Sequence, residues 1–210
     1  MNNPLNLELQ GCDVSHWNGQ INWENLRSDG VRFVFMKATQ GSSDIDPDFE
    51  ANWAGAGEAS LYRGAYHFYQ PGVDPMAQAE HFLSVAKPQS GDLLPVLDIE
   101  ESGSESPDVL SNNMAIWINH IRGSTGKYPI VYTYTSFWDS AITHDFSACP
   151  LWIADWETEG APNLPNGWQH WAFWQYSSTG RLSGIPDSQG KTDLDYFYGN
   201  INDLNQFMVP

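Results

Sequence analysis

Short apolar runs alternate along this chain with stretches of helical periodicity, a pattern typical of alternating strands and helices. The pattern predicts eight strands and six helices. The predicted strands are Gly11–Ser15, Arg32–Thr39, Arg63–Tyr69, Leu93–Glu100, Ile130–Thr135, Leu151–Trp156, Trp171–Ser177 and Thr192–Phe197. The predicted helices are Trp23–Asp29, Pro47–Ser60, Asp74–Ala86, Ser106–Gly123, a short one near Ser136 and Asn200–Phe207.

This order of elements predicts an α/β fold, a single irregular barrel of the (β/α)8 type with parallel strands. The segments after the sixth and seventh strands contain several prolines and glycines and show no helical period. We therefore expect the last helices of the barrel to be reduced or missing. We expect residues 11–210 to form one catalytic domain and residues 1–10 to be an N-terminal extension.

Composition narrows the range of partners. The formal net charge of −17 argues against nucleic acids and anionic membranes as partners. No apolar run reaches the roughly 18 residues that a membrane-spanning helix needs. The first ten residues lack the basic and apolar regions of a signal peptide, so we expect none in this chain. For Cys12 and Cys149 we expect buried free thiols, although a disulfide between them stays open.

The predicted strand Leu93–Glu100 is a nearly unbroken apolar run that ends in two acids. Alternation along a strand places Asp98 and Glu100 on the same side, roughly 6–7 Å apart. Two neighbouring carboxyl groups in apolar surroundings cannot both ionise freely, so at least one pKa should rise. Such a pair suits the general acid of a glycosidase. The simpler interpretation, two acids that face water at a strand end, is weakened by the rest of the chain.

The chemistry of a (β/α)8 barrel gathers at the carboxyl ends of its strands. There the sequence places a group of carboxylates, with several tryptophans near them whose rings suit the apolar faces of sugars. The carboxylates are Asp13, Asp98, Glu100, Asp193 and Asp195, and the tryptophans are Trp17, Trp138, Trp156 and Trp174. This combination favours a carbohydrate-active enzyme.

Eight motifs in order resemble glycoside hydrolase family 25, the Chalaropsis-type lysozymes or N-acetylmuramidases. They are GCDVSHWNG, FVFMKATQG, GAYHFY, PVLDIE, YTY, LWIADW, FWQYS and TDLDYF, and they span about residues 11–197. The resemblance implies hydrolysis of the β-1,4 bond between N-acetylmuramic acid and N-acetylglucosamine in bacterial cell-wall peptidoglycan. It implies no metal and no cofactor.

The resemblance also implies roles for individual residues. Glu100 would be the general acid and base, and Asp98 would orient the substrate's acetamido group. Asp13 and Asp193 would support this pair. Where the family pattern closes in Asp-Leu-Asn, this chain has Asp195 in the third place, and we expect Asp193 rather than Asp195 to face the site. The residues expected to bind substrate are Tyr66, Tyr134, Trp156, Gln175 and Lys37.

Three other functions stay open at this point. A metal-dependent hydrolase could use the same acids, but the six histidines show neither His-x-His nor HExxH spacing. A catalytically inactive carbohydrate-binding barrel would fit the aromatic content. A chitinase-like glycosidase would use the same acid pair on another N-acetylated polymer. For a muramidase we expect a monomer that acts on the cell wall, outside the cell or after release from a phage-infected cell.

Overall fold

The computed structural model describes residues 9–156, 158–186 and 191–210. Strands and helices alternate through the first two thirds of this range. The strands are β1 (Leu9–Val14), β2 (Val31–Gln40), β3 (Asp44–Ile45), β4 (Tyr62–Phe68), β5 (Val96–Asp98), β6 (Ile130–Thr133), β7 (Leu151–Ala154), β8 (Phe173–Gly180) and β9 (Thr192–Phe197). The α-helices are α1 (Trp23–Ser28), α2 (Phe49–Glu58), α3 (Pro75–Ala86), α4 (Pro107–Thr125), α5 (Thr135–Ala141) and α6 (Ile201–Leu204).

Within the described ranges, eight of the strands close into a barrel. Going round it, the order is β1, β2, β4, β5, β6, β7, β8 and β9, and β9 pairs with β1 to complete the ring. The short strand β3 pairs only with the end of β2 and was not predicted. The expected single barrel is therefore confirmed.

The last strand corrects one expectation. β9 runs antiparallel to both of its neighbours, β1 and β8, whereas a fully parallel barrel was predicted. A parallel return needs a long crossover, usually a helix, and no helix is found in the described residues between β8 and β9. The predicted loss of the last helices is confirmed, and it explains the reversal. As a consequence, the start of β9 lies at the same end of the barrel as the carboxyl ends of the parallel strands.

The two longest helices show local signals that fix their ends. The side chain of Asp74 accepts hydrogen bonds from two backbone N–H groups at the start of α3, and Pro75 takes the first helical position. Ser106 and Pro107 begin α4 in the same way. That helix runs past Gly123, where it was predicted to end. It stops at Gly126, whose φ of 78° is a left-handed conformation that glycine adopts readily.

Apolar side chains form two layers. One fills the inside of the barrel and is dominated by aromatic rings, with Phe35 stacked on Trp152 at 4.5 Å between ring centroids. The other lies between the strands and the surrounding helices and includes Leu26, Phe82 and Trp117. The inner layer fills the barrel below the mouth with apolar side chains.

Several boundaries differ from the predicted ones. β1 begins at Leu9, so the barrel includes two residues assigned to the N-terminal extension, and residues 1–8 lie outside the described residues. The predicted strand Leu93–Glu100 shortens to β5, and Leu93 instead forms an isolated bridge with Met208.

Cys12 and Cys149 are both buried and free. Among the described helices, none is long and apolar enough to cross a membrane.

Candidate active site

Two connected cavities open at the carboxyl ends of the parallel strands. The deeper one, which we call the chamber, has a volume of about 250 Å³. The second, which we call the groove, has a volume of about 740 Å³. Both are lined by Glu100, Tyr132 and Trp156, so the chamber opens directly into the groove. All four residues predicted to be catalytic line the chamber, namely Asp13, Asp98, Glu100 and Asp193.

Asp98 and Glu100 lie at the end of β5, where the backbone is held on both sides. The Asp98 carbonyl accepts a hydrogen bond from the Tyr69 N–H at 2.8 Å, and the Ile99 N–H donates to the Tyr132 carbonyl at 3.0 Å. The side chains of Asp98 and Glu100 lie close enough to act directly on each other's pKa. Two carboxyl groups in contact can form a hydrogen bond only through a proton, so such a pair favours keeping one.

The two members of this pair differ in their access to solvent. Asp98 is 6% exposed, and one of its carboxyl oxygens is buried without a hydrogen-bond partner. Glu100 is partly exposed where the chamber meets the groove. Burial raises the pKa of both groups, and for Asp98 the neighbouring Glu100 raises the pKa further. A proton near neutral pH is what a general acid requires.

Lys37 acts on this pair from a distance. Its positive charge lowers the pKa of both Asp98 and Glu100, against the larger effect of burial. The Lys37 ammonium donates to the Gln40 side chain at 2.7 Å and lies 4.9 Å from the centre of the Phe68 ring. Lys37 lines neither the chamber nor the groove. Its position fits a role in balancing the charge of this pair, and its contact with substrate stays a prediction.

Gln175 on β8 forms three hydrogen bonds that hold other chamber residues. Its Nε2 donates to Asp13 Oδ2 at 2.7 Å. Its Oε1 accepts from the Tyr132 hydroxyl and from Trp156 Nε1, each at 2.9 Å. Since its amide is occupied on both sides, Gln175 positions its neighbours and has little capacity left to bind substrate.

The two acids of β9, Asp193 and Asp195, differ in position and in burial. Asp193 is on the chamber wall, where burial and then the charge of Glu100 raise its pKa to about 6. Asp195 is 0% exposed and does not line the chamber, and its Oδ1 accepts from Trp152 Nε1 at 2.8 Å. Because β9 is antiparallel, Asp193 lies nearer the mouth and Asp195 lies deeper.

Two tyrosines of the predicted set lie along the cleft. Tyr66 lines the chamber, where burial and the surrounding carboxylates raise its pKa, so the hydroxyl keeps its proton and can donate. Tyr134 lines the groove, and its hydroxyl donates to the Glu100 carbonyl at 3.3 Å. Tyr134 therefore supports the backbone that carries the acid pair.

The four candidate tryptophans fall into two groups. Trp156 is 51% exposed and lines both cavities, and Trp17, which follows β1 at the mouth, is 74% exposed. Trp138 and Trp174 are buried, so their predicted place around the mouth is wrong. Both pack against other aromatic rings behind the strands, as expected for large apolar side chains on the outer faces of strands and on helices.

Sequence reasoning missed two residues that line the chamber, Trp152 and Ser178. Trp152 supports Asp195, and Ser178 lies on β8 beyond the predicted end of that strand. Alternation along β7 could have placed Trp152 inside the barrel. Tyr132 also lines the chamber and donates to Gln175. In the parts of the chain that the structure describes, no group of three or more histidine, cysteine or acidic side chains is arranged to hold a metal ion.

A barrel whose mouth combines two neighbouring acids of raised pKa with an aromatic-lined cleft is typical of a glycoside hydrolase. The family model for the glycosyl hydrolases of family 25 matches residues 12–185. The chain belongs to this family.

Known relatives agree with this assignment. Lysozyme M1 from Streptomyces globisporus is 39% identical over 205 residues, which cover 91% of this chain and 68% of that protein. The N,O-diacetylmuramidase from Chalaropsis sp is 33% identical over 192 residues, which cover 84% of this chain and 91% of that protein. The crystal structure of a bacterial lysozyme from Streptomyces coelicolor superposes with a TM-score of 0.90 at 34% identity, covering 97% of this chain and 98% of that one.

Proposed function

We propose that this protein is a lysozyme that hydrolyses bacterial cell-wall peptidoglycan, cleaving the β-1,4 bond between N-acetylmuramic acid and N-acetylglucosamine. The relatives named as lysozyme and as N,O-diacetylmuramidase support this substrate. The observation that carries the proposal is the neighbouring pair of Asp98 and Glu100 in the lining of the chamber, where burial raises the pKa of both.

The arrangement of the pair favours catalysis with help from the substrate. A protein nucleophile and a general acid must lie on opposite sides of the scissile bond, with their carboxyl groups about 5–5.5 Å apart. Asp98 instead ends β5, Glu100 follows it two residues later, and the two side chains act directly on each other's pKa. This arrangement suits the glycosidases in which the substrate's own acetamido group is the nucleophile.

In the first step, the acetamido oxygen attacks C1 of the sugar while the bond between C1 and the leaving oxygen breaks. Glu100 transfers its proton to the leaving oxygen. Asp98 accepts a hydrogen bond from the acetamido N–H group and stabilises the positive charge of the cyclic intermediate. In the second step, Glu100 takes a proton from water, the water oxygen bonds to C1, and the acetamido oxygen leaves. Two displacements at C1 retain the β configuration.

The remaining residues of the cleft support this sequence of steps. Tyr66 can donate a hydrogen bond to the acetamido oxygen or to Asp98, because its hydroxyl keeps its proton. The ring of Trp156 offers an apolar surface for a sugar where the chamber meets the groove. The groove extends the cleft beyond a single sugar, as a polymeric substrate requires. We expect the enzyme to act as a monomer at the cell wall.

Mass spectrometry of fragments released from purified peptidoglycan tests the function. We expect N-acetylmuramic acid at each new reducing end. N-acetylglucosamine at the new reducing ends would overturn the proposed bond specificity. The Glu100→Gln variant is the control for contaminating hydrolases, since it keeps the shape of the side chain and removes the acid. Efficient release of chitin fragments with little release from peptidoglycan would favour the chitinase-like alternative.

A further inference from the structure

Asp195 is a buried acid that the proposed mechanism does not use. Its side chain is fully buried and does not line the chamber. Oδ1 accepts the hydrogen bond from Trp152, whereas Oδ2 is buried with no hydrogen-bond partner. An isolated charged carboxylate is costly in such a place, so its oxygens need a donor or the group needs a proton.

The neighbour that completes this environment is Asp13. β1 and β9 pair so that Asp13 lies opposite Asp193 and Gly11 lies opposite Asp195. Asp13 and Asp195 are two residues out of register on these paired strands, and each side chain acts on the pKa of the other. Oδ2 of Asp13 already accepts from Gln175 Nε2 at 2.7 Å. Two carboxyl groups in hydrogen-bonding contact require a proton between them, because a carboxylate has no donor of its own.

We propose that Asp13 and Asp195 share one proton and that Asp195 is a positioning residue, which fixes the carboxyl group of Asp13 on the chamber wall. We call these two residues the seam pair, because they join β1 to the antiparallel strand β9. This inference concerns how the chamber is held in shape, and its test by NMR does not depend on which polymer the enzyme cleaves.

The hydrogen bonds around the seam pair indicate how the shared proton would keep Asp13 in place. Trp152 fixes Asp195 from one side, and Gln175 fixes Asp13 from the other. Gln175 also holds Tyr132 and Trp156, which line both cavities. Loss of the proton would place two negative charges in contact and push Asp13 out of this network. The shape of the chamber therefore depends on the protonation of an acid that the substrate does not touch.

Other ionisable groups surround the seam pair. Asp193 faces it from β9, Cys12 lies beside Asp13 on β1, and Tyr176 is on β8. Asp98 acts on Asp13 from β5. For both members of the pair, burial is the main cause that raises the pKa, and the neighbouring carboxylates raise it further. These neighbours are acids or weak acids, so they favour keeping the proton.

The first test follows the carboxyl groups themselves. In protein labelled with carboxyl-¹³C aspartate, the Asp195 signal is assigned by its loss in Asp195→Asn, and the Asp13 signal by its loss in Asp13→Asn. We expect the two signals to titrate together, with one proton retained through neutral pH. If both carboxyl groups titrate independently near the ordinary aspartate value of 3.8, the shared proton does not exist.

The second test compares two substitutions of similar size. Asp195→Asn keeps an oxygen for Trp152 and supplies an N–H to Asp13 at every pH, whereas Asp195→Leu supplies neither. We expect Asp195→Leu to lower kcat about tenfold or more with little change in KM, which is at least about 1.4 kcal/mol of transition-state stabilisation. Asp195→Asn should restore most of this loss. Equal kcat for the two variants would contradict a positioning role.

A third readout applies even if Asp195→Leu does not fold. Urea unfolding of wild type and Asp195→Asn is measured between about pH 5 and pH 8. A pKa that is raised in the folded state gives stability that is lost as the pH rises, because the unfolded chain releases the proton first. We therefore expect wild type to lose more stability than Asp195→Asn over this range. Parallel curves would show that Asp195 holds no proton in the folded protein.

Discussion

Two pairs of acids lie in this barrel, and we assign them different roles, one in catalysis and one in positioning. The acid pair of β5, Asp98 and Glu100, lies between parallel strands, and Glu100 reaches the open cleft. The seam pair lies between antiparallel strands, with Asp195 sealed behind the chamber wall. In both pairs, burial raises the pKa of each carboxyl group. A raised pKa alone therefore does not identify the catalytic acid.

Access and freedom of movement separate the two pairs. Glu100 is partly exposed and can approach a leaving oxygen, while its backbone carbonyl accepts a hydrogen bond from the Tyr134 hydroxyl. The carboxyl groups of the seam pair are held by Gln175 and Trp152. An acid that must exchange protons with a substrate has to reach it, whereas an acid that sets geometry has to stay fixed.

The largest expected effect is the loss of kcat when the general acid Glu100 is replaced. Glu100→Gln should lower kcat on peptidoglycan by on the order of 10²–10⁴-fold, because a positioned general acid contributes that much. The exposed Glu58→Gln on α2 is the matched control and should retain wild-type turnover. Activity of a folded Glu100→Gln protein within a few-fold of wild type would show that the proton comes from elsewhere.

His67 on β4 provides a buried ionisable group outside both pairs. Its Nε2 faces the Gln78 side-chain oxygen at 3.1 Å, and its Nδ1 faces the Thr39 hydroxyl at 2.7 Å. Gln78 Nε2 donates to two backbone carbonyls, so its oxygen faces His67 and Nε2 of the histidine carries the hydrogen. This bonding fits a neutral ring, and burial lowers its pKa from 6.5 to about 4.

The histidine should make the fold sensitive to acid. A pKa lowered in the folded state gives stability that is present above about pH 6.5 and lost as the pH falls towards 4. The loss attributable to His67 should reach roughly 3 kcal/mol. In urea unfolding, His67→Gln should be less stable than wild type at neutral pH, and the gap should narrow as the pH falls. A gap that does not change with pH would mean that the histidine is already charged.

Asp193 tests whether the β1–β9 side contributes charge to the reaction. Its pKa is raised to about 6, so its negative charge forms as the pH rises through that range. If this charge stabilises the positive intermediate, Asp193→Asn should cost about tenfold in kcat/KM above pH 6, equal to about 1.4 kcal/mol. The cost should shrink below that pH, where wild type is also neutral. A cost that is independent of pH would mark Asp193 as a structural residue.

The smallest expected effect concerns the rim of the cleft. Trp17 packs against His16, with 4.5 Å between ring centroids, and the His16 ring contacts the Asp46 carboxylate at 2.7 Å. A held and exposed indole at the mouth can stack on a sugar of the polymer. Trp17→Ala should therefore raise KM for peptidoglycan a few-fold and leave kcat unchanged. Tyr198→Ala, exposed at the far end of β9, is the control, and an equal rise in KM there would remove Trp17 as a specific contact.

The sequence predicted the parts of the fold that depend on local pattern. Strand and helix periodicity predicted the barrel, and the prolines and glycines after β7 predicted the missing helices. The direction of β9 was beyond such reasoning, because strand direction depends on how the chain returns, not on the residues of the strand. Asp193 was correctly placed at the mouth, although it lies at the start of β9 and not at its end.

The residues of the candidate site were also predictable only in part. The acid pair of β5 was found because two acids after an apolar run are unusual. The seam pair was missed because its members are 182 positions apart and meet only when β9 turns back beside β1. Trp138 and Trp174 were misplaced because the sequence alone does not reveal which side of an element faces the mouth.

The central claim is that the acid pair of β5 performs the chemistry and that the β1–β9 side holds the chamber in shape. Proton NMR of the first-formed product, recorded before mutarotation, tests it most directly. Attack by the substrate's acetamido group gives two displacements at C1, so the β-anomer should appear first. If Asp13 or Asp193 activated water instead, at the roughly 6.5–9.5 Å separation that inversion needs, the α-anomer would appear first and the claim would be wrong.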